Sequence, residues 1–362
     1  MFILLRLPTW QELPQAQPDN FPRPNRKFVT KEANLYYFSG FRGDDTVLII
    51  TEDRALLITD NRYTEQASQQ APLFEVVEQK EGLLKKTAEC VKKLECQSVG
   101  FEGNALSYAD FSVLQALLKP IRFDTSLQLD SLRQSKEKEE IRHIRKACAI
   151  ADAGFADILT YIRPGMTELQ VAAHLEHCMR ENGSEKTSFP TIVASGIRGS
   201  LPHGIATNRV ICEGELVTMD YGAVYEGYDS DITRTICVGA ADEKQKRIYH
   251  AVLESQELAL TLIRPEVSGR SVHLAVKKNL ARYGLDSYFG HGLGHSLGLE
   301  IHEEPRMSLS RDFILKQNML ITDEPGVYIP GWGGLRIEDT VLITADGCEP
   351  LTKSRKELIE IL

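Results

Sequence analysis

Residues 290–305 read GHGLGHSLGLEIHEEP, which gathers three of the chain's nine histidines, His291, His295 and His302, among glycines and glutamates. Imidazoles so spaced bind metals, move protons or serve only structure, and their partners decide which. Two other stretches supply acids. In ELVTMDYGAVYEGYDSDITRTICVG (215–239) two β-rich runs flank Tyr225-Glu226-Gly227, and a hairpin centred between Tyr225 and Glu226 sets Asp220 directly opposite Asp231. Opposed β-carbons stand about 4.5–5.5 Å apart, so two carboxylates there repel unless a positive charge lies between them. For an isolated pair of acids a solvent-exposed turn is the ordinary reading. The apolar setting LVTMDYGAV around Asp220 weighs against it. MLITDEPGVYI (319–329) and GLRIEDTVLIT (334–344) repeat the pattern, with Glu324 and Glu338 symmetric about Gly331. Pro325 biases Glu324 toward extended backbone, and Arg336, on the face of Glu338, is placed to hold a carboxylate. Asp323 and Asp339 fall on the opposite faces, where solvent exposure or structural pairing is expected.

The four acids and one histidine, Asp220, Asp231, Glu324, Glu338 and His295, form a consistent set. Four carboxylates match the charge of two divalent cations, and oxygen-rich ligation favours Mn²⁺ or Co²⁺ over an all-thiolate zinc site. Two such ions, bridged by carboxylates, can hold a hydroxide and polarise a carbonyl. Rival readings of the histidine segment fare worse. GHSLG (294–298) matches the nucleophile elbow G-x-S-x-G, yet that motif needs a strand before Ser296 and a helix after it, and Pro305 closes the way to a helix. The zincin pattern fails because Arg306 stands where a second histidine is required. His174 and His177 read as a helix-surface pair, and His143, His250 and His273 as lone structural histidines.

Elements that could position this set follow from length and periodicity. A chain of 362 residues is long enough for two domains. Its net charge of −9 argues against a nucleic-acid partner, and no apolar run approaches the roughly 20 residues of a membrane span. The seven cysteines are odd in number and scattered without a C-x-x-C pair, as suits reduced thiols in the cytoplasm. Residues 1–28 hold five of the fifteen prolines and read as an extended arm. Residues 29–132 read as a small α/β domain with a hairpin at 46–59, helices near 81–95 and 108–118, and a strand near 98–101. From 133 to 362 a second domain begins with a helix whose apolar stripe runs Ile141, Ile144, Cys148, Ala151, Phe155, Ile158, Ile162 and stops at Pro164-Gly165. Thr167 and Gln170 form a capping box that opens another helix. Strands then alternate with helices near 243–262 and 270–283.

MDYGA, DSDITRT, GHSLGLEIHEEP, DEPGVYIP and LRIEDT, in that order and spacing, resemble the metallopeptidases of the methionine aminopeptidase and creatinase-like class. The likeness runs from about Phe28 to Leu362 and is nearest to the Xaa-Pro branch, aminopeptidase P and prolidase. It implies an α/β (α+β) architecture: a creatinase-like N-terminal domain followed by a pita-bread catalytic domain. It further implies that Asp220 chelates one metal, Asp231 and Glu338 bridge both, and His295 and Glu324 bind the second. Glu324 would also accept a proton from the bridging water. The resemblance makes His203, in SLPHGIATN, a substrate histidine and His302 its partner at the tetrahedral intermediate. His291 would lie near the substrate's entry, with Arg336 beside it in the substrate region. GHS stands here for the commoner GHG.

The implied activity is hydrolysis of the Xaa-Pro bond at a peptide's N-terminus by a metal-bridging hydroxide, with manganese the expected ion and cobalt or zinc as substitutes. The alternative is an Xaa-Pro dipeptidase. A metal-free creatinase-type hydrolase or a non-catalytic binding protein on the same fold should lack the ligand set, which is complete here. The expected partners are peptides with proline in second position and a second copy of the chain, a homodimer.

Overall fold

The computed structural model describes residues 27–125 and 127–362, so the proline-rich arm lies outside the described residues except for Lys27 and Phe28, which are strand. The chain divides into two compact units, 1–133 and 134–362.

The first unit is one six-stranded sheet, in the order β4-β3-β2-β1-β5-β6, built from β1 (Lys27–Val29), β2 (Val47–Ile50), β3 (Ala55–Thr59), β4 (Glu75–Glu78), β5 (Ser98–Phe101) and β6 (Arg122–Asp124). Side chains alternate across it as strand geometry demands. Val47, Ile49, Leu56 and Ile58 pack on α3 (Leu83–Lys93) and α4 (Tyr108–Leu117). Leu48 and Leu57 face the other way, toward α1 (Glu32–Ser39) and α2 (Thr64–Gln70). The 46–59 hairpin is present as expected, whereas α1, α2, β4 and β6 carry no strong periodicity in the sequence.

Among the described residues the second unit holds two larger sheets, each covered by a helix pair, and two two-stranded ribbons. α5 (Lys138–Tyr161) buries the predicted stripe from Ile144 to Phe155 and Ile158, with Ile141 half-buried at its start. Thr167 and Gln170 cap α6 (Glu168–Glu181) reciprocally. Both helices pack on Val217, Met219 and Tyr221 of β8 (Glu215–Tyr221). β7 (Ile192–Ser195) and the edge strand β19 (Glu360–Ile361) complete that sheet with β11 (Ile232–Val238). Between β8 and β11 lie the short strands β9 (Val224–Tyr225) and β10 (Tyr228–Asp229). α7 (Glu243–Leu262) and α8 (Gly269–Ala281) cover the other sheet. It comprises β12 (Gly294–Ser296), β13 (Glu303–Met307), β14 (Leu320–Asp323), β17 (Asp339–Ile343) and β18 (Cys348–Pro350). β15 (Gly326–Ile329) and β16 (Gly333–Arg336) form a separate ribbon. No helix among the described residues is long and apolar enough to cross a membrane.

The register of the 215–239 hairpin corrects the expectation from sequence. Asp220 pairs with Thr233, not Asp231. Glu226 and Gly227 both adopt positive φ, 49° and 76°, and form the two-residue turn themselves. This moves the hairpin centre one residue along, and Asp231 lies just before β11 begins. The second hairpin has the symmetry read from the sequence, with Asp323 facing Asp339 and Gly326 facing Arg336. Its ladder breaks at the glutamates: Glu324 N–H donates to the Leu293 carbonyl (2.9 Å) and Glu338 N–H to the Thr233 carbonyl (3.1 Å). Asp323 and Asp339 are both buried, so the exposed alternative fails for each. Asp339 is paired with Arg234 at 2.7 Å, whereas burial holds the Asp323 carboxyl well above the usual range.

Gly222 follows β8 where the chain nearly touches Ser230; an added β-carbon would lie 1.9 Å from the Ser230 carbonyl oxygen. Gly222→Ala is therefore expected to destabilise the protein by about 3 kcal/mol or more in denaturant unfolding. Gly290→Ala, with nothing within 4 Å of the new methyl group, should change stability by less than about 0.5 kcal/mol.

Candidate active site

Strand alternation decides which side chains meet. On β8 and β11 the apolar residues Val217, Met219, Ile232 and Ile236 turn to the helices, leaving Thr218, Asp220, Thr233 and Thr235 on the opposite face. Asp231 is fixed there by Thr340, whose hydroxyl donates to its carbonyl (2.7 Å). Gly294 lets β12 approach β14 closely, since an added β-carbon would lie 1.9 Å from the Thr322 carbonyl oxygen. His295 thereby comes beside Thr322, whose hydroxyl accepts from the His295 N–H (3.0 Å) and donates to Glu324 (3.1 Å).

The result is one cavity of about 610 Å³ lined by Asp220, Asp231, His295, Glu324 and Glu338, together with His203, His291, His302, Arg306 and Arg336. Phe189, Pro190, Ile192, Pro202, Ile205 and Ile301 give it an apolar wall. His295 Nε2 stands 3.5 Å from Asp231 and 3.6 Å from Glu324. One ligand atom each from Asp231, His295 and Glu338 lies within 4.8 Å of the others. His295 Nδ1 faces the Ser296 carbonyl at 3.1 Å. A proton held there leaves the Nε2 lone pair toward the acids, the tautomer a metal ligand needs.

Electrostatics match this geometry. Burial, then Glu338 and Asp220, hold the Asp231 carboxyl well above its ordinary value. Burial, then Glu324 and Asp220, do the same for Glu338. Burial pushes Glu324 up to about 7 despite Arg336. Burial takes His295 down to about 3 and His291 down to about 4, so both are neutral imidazoles. A buried guanidinium opposes the acids: Arg336 donates to Asp220, to Tyr328 Oη (2.6 Å), to Thr233 Oγ1 (2.9 Å) and to the Pro202 carbonyl (3.3 Å). When all are ionised, the four carboxylates outnumber the two guanidiniums on the wall, buried Arg336 and the more exposed Arg306. The Oδ1 atoms of Asp220 and Asp231 are buried without a hydrogen-bond partner among the described residues. Unsatisfied hard oxygen donors, surplus negative charge and one neutral imidazole fit divalent cations.

All of the site residues expected from sequence line this cavity. His302 stacks edge-on to His295 with ring centres 4.5 Å apart. His291 is tied at both nitrogens, to the Gly292 carbonyl (2.7 Å) and to the Tyr328 hydroxyl (3.1 Å). Four of the five N–H donors of Arg336 meet protein acceptors, and among the candidate ligands its hydrogen bond goes to Asp220. Ser296 is fully buried and donates to the Leu320 carbonyl (2.8 Å), which removes it as a nucleophile. His174 and His177 lie on α6 beside Asp157 and Glu181. Sequence reasoning passed over Arg306, whose signal was its position on the exposed face of β13, where burial alternates strictly. It also missed Tyr328, Thr233 and Thr322, whose contacts depend on long-range register.

A profile described as metallopeptidase family M24 matches residues 142–345, and one described as the creatinase/prolidase N-terminal domain matches residues 27–135. The chain is 42% identical to an Xaa-Pro dipeptidase of Pyrococcus furiosus, over 92% of this chain and 95% of the relative. Among solved structures it resembles an Xaa-Pro dipeptidase from Bacillus anthracis, with TM-score 0.90, 42% identity and coverage of 93% and 95%. An X-Pro aminopeptidase from Thermotoga maritima follows, with TM-score 0.88, 36% identity and coverage of 93% and 97%.

In metal-free protein, carboxyls with raised pKa bind more protons folded than unfolded, so stability falls as pH rises through the folded value. The depressed histidines act in the opposite sense, and their effect fades above about pH 6.5 as the unfolded-state imidazoles lose their protons. The melting temperature of metal-free protein should therefore fall between about pH 6.5 and 8, as Glu324 ionises near 7. Mn²⁺ should remove most of that dependence; thermal melts with and without the ion check both points.

Proposed function

The chain belongs to metallopeptidase family M24, and on that premise we propose that it is an Xaa-Pro dipeptidase in which Asp220, Asp231, His295, Glu324 and Glu338 hold two divalent cations, manganese first. The observation that carries this reading is the convergence of these five side chains on a single cavity. When bound, such cations supply a polarised carbonyl and a water of lowered pKa.

The chain's own residues supply the rest. Glu324, near neutral in its affinity for a proton in the metal-free site, accepts the proton of the attacking water and passes it toward the leaving nitrogen. His302, whose pKa burial and then Arg306 lower, is a neutral donor for the developing oxyanion, with His203 as the second histidine on the cavity wall. Ile192, Ile205, Pro202 and Ile301 offer apolar contact to a pyrrolidine ring.

Of the two Xaa-Pro activities implied by the sequence, dipeptide hydrolysis is the better supported. The Pyrococcus and Bacillus relatives are dipeptidases by name, and Arg306 supplies a physical reason. Its guanidinium lies on the cavity wall, more than half exposed and 3.9 Å from Glu304. A dipeptide carries its free carboxylate one residue beyond the scissile bond, where such a cation can pair with it. A longer peptide has an amide there. The Thermotoga relative keeps the aminopeptidase reading as the second. Seven cysteines scattered without a C-x-x-C pair suit a reducing cytoplasm.

Chelator-treated enzyme should lose Gly-Pro hydrolysis and regain it with Mn²⁺. Arg306→Ala should lower kcat/KM for Gly-Pro about 10–100-fold, the range of one charge-assisted contact, and for Gly-Pro-Gly by less than about threefold. Parallel kinetics on the two peptides check this, and equal losses on both favour the aminopeptidase reading.

A further inference from the structure

The segment between His295 and His302 is held by a buried charge pair, Lys136 and Glu303. β12 and β13 pair Ser296 with Glu303, so residues 297–302 form the connecting loop and His302 is its last member. Inside that loop lies the Glu303 carboxylate. Its Oε1 accepts from the N–H groups of Leu299 (3.2 Å) and Glu300 (3.4 Å). Its Oε2 accepts from Lys136 Nζ at 3.0 Å. The two side chains are 4% and 1% exposed. Lys136 Nζ also reaches Ser296 Oγ at 3.4 Å, on the residue next to His295.

The loop has no slack around this pair. A β-carbon on Gly298 would meet Glu303 Oε1 at 3.0 Å, Oε2 at 3.1 Å and Lys136 Cε at 3.1 Å. The Gly298 carbonyl in turn accepts from the Asp229 N–H (2.7 Å). Lys136 precedes α5 and falls outside both matched family stretches.

A fully buried lysine is rare unless paired, and a buried ion pair is weak support for net stability because desolvation offsets its attraction. Its effect is on geometry. We propose that Lys136 and Glu303 are positioning residues for His302, holding the 297–302 loop closed around a buried charge so that the imidazole stays in the cavity beside His295. The inference rests on the proposed role of His302. A pair that served only stability would alter folding without regard to that histidine.

The test compares full-length, Mn²⁺-loaded enzyme in two backgrounds, native and His302→Ala, on Gly-Pro. Glu303→Gln removes the charge and keeps the shape. Gly298→Ala keeps both charges and crowds them, and it serves if the first variant does not fold. Each is expected to lower kcat at least tenfold in the native background, with KM within threefold and metal content unchanged. In the His302→Ala background each should add less than twofold. Hydrogen exchange at the Leu299 and Glu300 amides should quicken at least tenfold in the variant. Equal fold-losses in both backgrounds, or loop amides that exchange as in wild type, overturn the positioning role. Wild-type enzyme inert on Xaa-Pro peptides contradicts the proposed function instead, and the exchange comparison then decides the role of the pair by itself.

Discussion

Four carboxylates crowded into one cavity, faced by the buried Arg336 and the half-exposed Arg306, repel one another, and the architecture of the catalytic unit is organised around sustaining that repulsion. Asp231 and Glu338 are held well above their ordinary pKa values by burial and by neighbouring acids. Such a cluster is expensive in metal-free protein, because each acid must either take a proton or endure its neighbours. Cations relieve both costs together. The threonine hydroxyls on Glu324 and Glu338 (3.1 and 2.5 Å) and Arg336 on Asp220 fix where the oxygens stand. Ligand positions fixed in this way favour selectivity by geometry.

The fold supplies this arrangement by breaking its own ladders. A regular hairpin would satisfy Glu324 and Glu338 within one sheet. Here the backbone N–H groups of both turn to other partners, Leu293 and Thr233, and the side chains are released into the cavity between the two sheets of the catalytic unit. Glycines do comparable work at Gly222 and Gly294, where no β-carbon fits. Behind the ligands, Asp339 and Arg234 form a second buried network; Arg234 also donates to the Ser354 carbonyl (2.7 Å), so the C-terminal segment braces the strand that follows Glu338.

Much of this was legible in the sequence because the decisive signals were local. The α5 stripe, the Thr167 capping box and the symmetry of Glu324 and Glu338 about Gly331 each depend on residues near one another in the chain. What was not legible depended on turn chemistry or on long-range contact. Placing the first hairpin's centre required knowing that Glu226 accepts a left-handed conformation, φ 49°, which a non-glycine residue rarely advertises. Asp323 reads as a surface acid by alternation, yet its face of the sheet is covered by α7, so it is buried. Lys136 and Glu303 are 167 positions apart, and nothing in either neighbourhood announces a buried partner.

The central claim is that five side chains, two within strands and three at strand ends, form one two-ion site, and metal stoichiometry tests it most directly. Purified protein stripped of metal and titrated with Mn²⁺ should bind two ions per chain, and Asp231→Asn should retain fewer than one. Wild-type protein that binds no ion, or an Asp231→Asn variant that still binds two, would contradict the account.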